Sequence, residues 1–102
     1  MDKYVCARPV HPGEILKEEI EYRGISQCKL AAQTGMPYKM LNHILNERRQ
    51  LTIQTAMLIE AALGIDSDLL MRMQLKYNSR MARQDKSFSE RLANIRKFAS
   101  IL

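Results

Sequence analysis

The side chains best suited to chemistry fall between residues 26 and 49, and the chemistry they suit is the reading of a nucleic acid. Tyr38, Lys39, Met40, Asn42 and His43 are interleaved with Leu41, Ile44 and Leu45, whose apolar spacing is i, i+3, i+4. That spacing predicts a short helix with the three aliphatic residues buried and the other five on its outer side. Lys39 can donate to guanine O6 and N7, Asn42 can pair with an adenine edge, and Tyr38 or Met40 can touch a thymine methyl. Asn46, Arg48 and Arg49 follow the helix and suit the phosphate backbone. Gln27 stands in the first turn of the preceding helix, where free main-chain N–H groups favour an anion. An ordinary solvated helix carries the same residue types, so the reading depends on the elements that prop this helix up.

Those elements are legible. Ser26 predicts the N-cap of a short helix with Leu30 and Ala31 on its inner side, and Gly35 allows the chain to reverse in the left-handed region. Helix, tight turn and helix form the unit that the major groove accepts. Upstream, Arg8-Pro9 predicts extended chain, and Pro12 opens a first helix running to about Arg23, with Ile15, Leu16 and Ile20 as its stripe and Gly24 as its stop. Downstream, Thr52 caps a fourth helix with Ala56, Ile59, Ala62 and Leu63 inward, closed by Gly64. Asp66 or Ser67 caps a fifth, with Leu69, Leu70, Met73 and Tyr77 inward, expected to fray after Arg80. Residues 79–87 read as either a charged helix end or a linker. Phe88, Leu92, Ile95, Ala99 and Leu102 then form an amphipathic segment that needs something to lie on. The candidate uses of that segment are a partner surface, a dimer contact, packing on its own domain, or further phosphate contacts from Arg91, Arg96 and Lys97.

The bulk properties bound the possibilities. A chain of 102 residues supports one core, and 46 % apolar residues can fill it. The net charge of +5 is unevenly spread: residues 1–71 sum to −1 and residues 72–102 to +6. The first helix is acidic through Glu14, Glu18, Glu19 and Glu21, and the repulsion of Glu14 and Glu18 at i, i+4 would be relieved by a basic partner. Two cysteines make no disulfide framework, no apolar run approaches the roughly 18 residues of a membrane span, and a cytoplasmic setting is expected. Cys6, Cys28, His11 and His43 match no zinc-ligand spacing, so no metal or cofactor is expected. No nucleophile–base pair or glycine-rich phosphate loop stands out, so the chain is not read as an enzyme. The seven methionines read as flexible core filler.

His11-Pro12-Gly13-Glu14-Ile15-Leu16 resembles the opening of HigA-type antitoxins, a branch of the phage-repressor-like (XRE) helix-turn-helix proteins. Further matching positions are Gly24-Ile25-Ser26-Gln27, Leu30-Ala31, Gly35, Ile44-Leu45-Asn46, Arg48-Arg49, Thr52 and Leu63-Gly64. Met73-Gln74 and Tyr77-Asn78 resemble the close of the family's fifth helix. The resemblance covers residues 11–78. It implies an all-α, five-helix phage-repressor-like domain at 12–78, between an arm at 1–11 and a C-terminal extension at 79–102. It also implies that Gln27 bonds a phosphate and braces the reading helix.

The implied function is an antitoxin that binds operator DNA as a homodimer, represses its own operon by excluding RNA polymerase, and neutralises a HigB/RelE-type mRNA-cleaving toxin. The acidic face of Glu14, Glu18, Glu19 and Glu21 is the candidate toxin surface. Three positions depart from the family: Pro37 replaces the Ser or Thr that caps the reading helix, Glu47 replaces the glycine after it, and Leu70 replaces a tryptophan. The alternatives are a stand-alone XRE-type regulator and a protein-binding module that has lost DNA affinity.

Overall fold

The computed structural model describes residues 10–101, and of Ile101 only the main chain. Most of the expected arm, Cys6 and Leu102 lie outside the described residues. The described chain is all helical, and it holds six helices rather than five: α1 Pro12–Arg23, α2 Gln27–Thr34, α3 Tyr38–Leu45, α4 Ile53–Leu63, α5 Ser67–Gln84 and α6 Lys86–Ile101.

The expected caps are in place. Ser26 Oγ accepts from the Lys29 N–H, Thr52 Oγ1 from the Thr55 N–H, and Asp66 Oδ1 from the Asp68 N–H. Gly35 and Gly64 end their helices at φ 73° and 76°. The expected fraying after Arg80 does not occur. Helix α5 continues to Gln84 and stops at Asp85, whose carboxylate accepts from the Phe88 N–H and so starts α6. Residues 79–84 are therefore a charged helix end rather than a linker. Asp85 carries a cap signal of the same kind as Asp66, and it turns the extension into a sixth helix.

Leu16, Ile20, Leu30, Leu41, Ile44, Leu45, Leu51, Ala56, Ile59 and Leu70 form one core shared by α1 to α5. Leu70 fills the family's tryptophan position and is fully buried. Two expected core residues are corrected: Ala62 and Leu69 are exposed. Each sits at the edge of its stripe, and the neighbours Leu63 and Leu70 take the inward direction instead. Ile15, Met73 and Tyr77 are half-buried.

Polar clasps fix the loops to this core. Arg23 donates through Nη1 to the Leu63 carbonyl at 2.7 Å and through Nε to Glu19 at 2.7 Å, tying α1 to the end of α4. Gln74, 2 % exposed, accepts the Leu51 N–H at 2.8 Å and donates to Asn78, which in turn donates to Gln50. Helix α5 thereby holds the segment that follows α3. The chain is elongated: its radius of gyration is 17.0 Å along a 56 Å axis, against about 13 Å for a compact domain of this length.

Candidate nucleic-acid interface

Helix α3 is short, and its three buried aliphatic residues lie on one side. Leu41, Ile44 and Leu45 are buried against α1 and α2, while Tyr38 and Lys39 are exposed. Asn42 and His43 are half-buried rather than fully outside. Met40 is half-buried and packs against the core, which leaves only part of it to meet a base. Asn46, Arg48 and Arg49 are exposed in the turn that follows.

The structure joins two of the candidates directly. Asn42 Nδ2 donates to Gln27 Oε1 at 2.8 Å, bridging α2 and α3. This bond commits the Gln27 oxygen and leaves its NH₂ group, a pure donor, for an anion. It also uses one of the two Asn42 amide hydrogens and leaves the other hydrogen and Oδ1 uncommitted by this bond. The Asn42 carbonyl accepts from both the main-chain and side-chain nitrogens of Asn46, and Asn46 Oδ1 accepts from Lys17 Nζ at 3.3 Å. Gln27, Asn42, Asn46 and Lys17 thus form a chain of contacts from α2 across α3 to α1.

The angle of α3 is set by residues that the sequence did not single out for this role. At Gly13 an added Cβ would collide with the Ile44 carbonyl oxygen and lie 3.0 Å from His11 Nδ1, so the main chains of α1 and α3 touch. His11, 2 % exposed, caps α1 by accepting the Gly13 N–H at 2.9 Å, and its ring meets Tyr77 of α5 edge-on at 4.9 Å. Burial pushes the His11 pKa below the usual histidine range, and the nearby Glu47 carboxylate and a main-chain hydrogen bond at Arg49 only partly oppose this. His11 therefore sits neutral among α1, α5 and the turn after α3. The available signal was its place directly before Pro12, where an N-cap side chain belongs. Its nitrogen is spent on that cap, and Cys28 lies apart and exposed on α2.

Helix α1 also presents its carboxylates. Glu18 and Glu21 are exposed, and Glu19 pairs with Arg23. Glu14, Glu18 and Glu21 line a groove that is completed by Leu45, Asn46 and Glu47.

Comparison with known proteins bears on this geometry. The sequence profile described as Helix-turn-helix (HTH_3) matches residues 16–70, more than half of the chain. The chain belongs to the XRE-type helix-turn-helix family. Within that family it is 37 % identical over 78 residues to Virulence-associated protein I of Dichelobacter nodosus, covering 76 % of this chain and 72 % of that one. It superposes on an addiction module antidote protein of a HigA family from Coxiella burnetii with a TM-score of 0.73, at 32 % identity, over 78 % of this chain and 88 % of that one. It superposes on the Pseudomonas aeruginosa antitoxin HigA, solved with higBA promoter, with a TM-score of 0.71, at 28 % identity, over 74 % and 84 % of the two chains. This XRE-type family is one of DNA-binding regulators and antitoxins, not of enzymes. No helix among the described residues is long and apolar enough to cross a membrane.

Two departures from the XRE-type pattern have structural consequences. Pro37 fixes φ at −59° and offers no side-chain acceptor, so α3 begins without a side-chain cap. Glu47 adopts φ 64°, the left-handed conformation in which the family's glycine is free and a side chain is strained. Glu47→Gly is expected to raise stability by about 1 kcal/mol, or roughly 4–8 °C in Tm for a chain of this size. It should also tighten binding to any duplex by removing a carboxylate beside Arg48 and Arg49. Thermal melts and a filter-binding titration check both. A lower Tm would mean that Glu47 makes a stabilising contact outweighing the strain.

Proposed function

We propose that this chain is a HigA-like antitoxin that reads operator DNA through α3 as a homodimer, represses its own operon, and neutralises a basic, mRNA-cleaving toxin of the HigB/RelE type. The observation that carries the DNA reading is the braced outer face of α3. Tyr38 and Lys39 are exposed beside the Gln27–Asn42 bridge, with Arg48 and Arg49 exposed immediately after. The promoter complex of the Pseudomonas aeruginosa antitoxin supports this use of the fold.

In this reading Lys39, Asn42, Tyr38 and the outward part of Met40 and His43 meet base edges. Gln27, Asn46, Arg48 and Arg49 meet phosphates. Two copies place their α3 helices about one DNA turn apart, and the bound dimer blocks RNA polymerase from an overlapping promoter. Toxin capture falls to the acidic side of α1, with Glu14, Glu18, Glu19 and Glu21 facing a basic partner. The chemistry is binding alone, with no catalytic group and no cofactor.

A gel shift with the chain's own upstream sequence tests this. A shift at low salt that weakens steeply with added salt is expected, because each neutralised phosphate adds to the slope. Lys39→Ala should cost about 1–3 kcal/mol on the operator and little on unrelated DNA if Lys39 reads a guanine. Equal losses on every duplex would reassign Lys39 to the phosphates. The absence of any shift at low salt would favour the protein-binding reading, to which the uncapped α3 and the left-handed Glu47 lend support. A stand-alone regulator is distinguished by the neighbouring gene: a small basic open reading frame argues against it.

A further inference from the structure

Two apolar faces have none of the described residues packed over them. One is the outer side of α4, where Ile53, Met57 and Ala61 repeat at i, i+4, i+8 beside Leu58 and Ala62. All five are exposed, Met57 by 56 %. The other is α6. It packs against α5, yet among its described side chains only Ser89 and Leu92 are half-buried; Ile95 is 56 % exposed and Phe98 69 %. A 16-residue helix is marginal on its own in water, and the support this one has from the rest of the described chain comes mainly from α5.

Their charges differ in sign. Residues 50–71 contain Glu60, Asp66 and Asp68 and no Lys or Arg. Glu60 accepts the Ser67 N–H and Asp66 caps α5, so these acidic groups cluster around the α4–α5 junction, and the α4 segment offers no cation to oppose a basic helix. Helix α6 carries Lys86, Arg91, Arg96 and Lys97 against Glu90 alone. We propose that the α4 face is covered by α6 of a second copy of this chain, docked reciprocally in a two-fold dimer.

Three alternatives fail on charge or coverage. Pairing α6 with α6 opposes eight cations with two glutamates. Pairing α4 with α4 offers no opposite charge and leaves both α6 helices bare. A foreign basic protein on α4 also leaves α6 bare. Reciprocal exchange covers both faces with one contact, made twice, and closes on itself as an isologous dimer should. Opposite charges at the edge then favour encounter and fix the register. The contact deepens the dimeric reading above and rests on it for any effect on DNA. Helix α4 begins directly after the turn carrying Arg48 and Arg49, so the dimer contact and the reading surface are neighbours along the chain.

The test uses the full chain with Cys6→Ser and Cys28→Ser. Met57→Cys is placed in a tagged copy and Ile95→Cys in an untagged copy, and the two are mixed under oxidising conditions. Both positions are exposed, and circular dichroism checks that each variant keeps its helices. A tagged-to-untagged disulfide is expected as the main product. Sedimentation should show a dimer that weakens with salt, and Ile95→Asp should raise its Kd by at least about tenfold. Links joining only 57 to 57 or 95 to 95, a monomer at every concentration, or an unchanged Kd for Ile95→Asp would each overturn the proposal. A 57–95 link in a chain that shifts no DNA supports the contact and removes the DNA reading. A DNA shift at low salt without that link does the reverse.

Discussion

Gly13→Ala should unfold this protein more readily, by about 2 kcal/mol or more, although alanine is the better helix former. Propensity alone favours the substitution by roughly 0.5–1 kcal/mol. The tertiary term has the opposite sign and is larger. The new methyl group would press into the Ile44 carbonyl oxygen, a main-chain atom that has no rotamer to retreat to. Overpacking of that kind costs about 1–3 kcal/mol when side chains can adjust, and more when they cannot. The relief available is to move α1 away from α3. That displaces Leu41, Ile44 and Leu45 from the core and tilts Tyr38 and Lys39 relative to Arg48 and Arg49. Urea denaturation should show the stability loss, and the gel shift should show reduced operator affinity even at temperatures where the variant is folded. An unchanged or higher Tm would mean that the two helices are not in main-chain contact.

His11→Ala is expected to cost about 3 kcal/mol. The substitution removes the acceptor that caps α1, leaves the buried Gly13 N–H without its partner, and opens a cavity beside Tyr77. A lost cap costs about 1 kcal/mol, and an imidazole-sized cavity adds about 2 kcal/mol. His11 also gives stability a pH dependence of definite sign. Its folded pKa lies below its unfolded value, because burial disfavours the imidazolium. Below the ordinary histidine pKa of about 6.5 the unfolded chain therefore binds more protons than the folded one, and stability falls as the pH drops. The loss continues until the folded pKa is passed. His11→Asn retains a side-chain acceptor at the cap but does not titrate, so it should flatten this part of the profile while recovering some of the stability lost in His11→Ala. Chemical denaturation between pH 5 and 7.5 measures it. A wild-type profile that matches the asparagine variant would remove His11 as the source.

Both predictions concern residues that the sequence displayed plainly, in His11-Pro12-Gly13, without showing what they touch. What the sequence determined by itself is everything that neighbours along the chain can encode. Ser26, Thr52 and Asp66 cap because the N–H groups they satisfy are two or three residues away. Gly35 and Gly64 stop helices because the left-handed turn is a single-residue property. Leu41, Ile44 and Leu45 turn inward because 3.6 residues make a turn. From these local rules the helix-turn-helix unit and the two sides of its second helix were readable, while the family resemblance rested on motif residues such as His11-Pro12-Gly13-Glu14. The edges of the stripes were not: Ala62 and Leu69 fit the period but lie outside, since the period gives a direction and not the width of the neighbour that covers it.

Only the tertiary structure decided how the reading face is held. Gly13 against Ile44, His11 against Tyr77, Gln74 under Leu51 and Asn42 on Gln27 each join segments whose separation depends on the angles at which helices cross. Those angles come from how the whole core packs, a sum over many side chains that no local pattern carries. The same sum left α6, which the Asp85 cap starts locally, with few of the described residues to lie on.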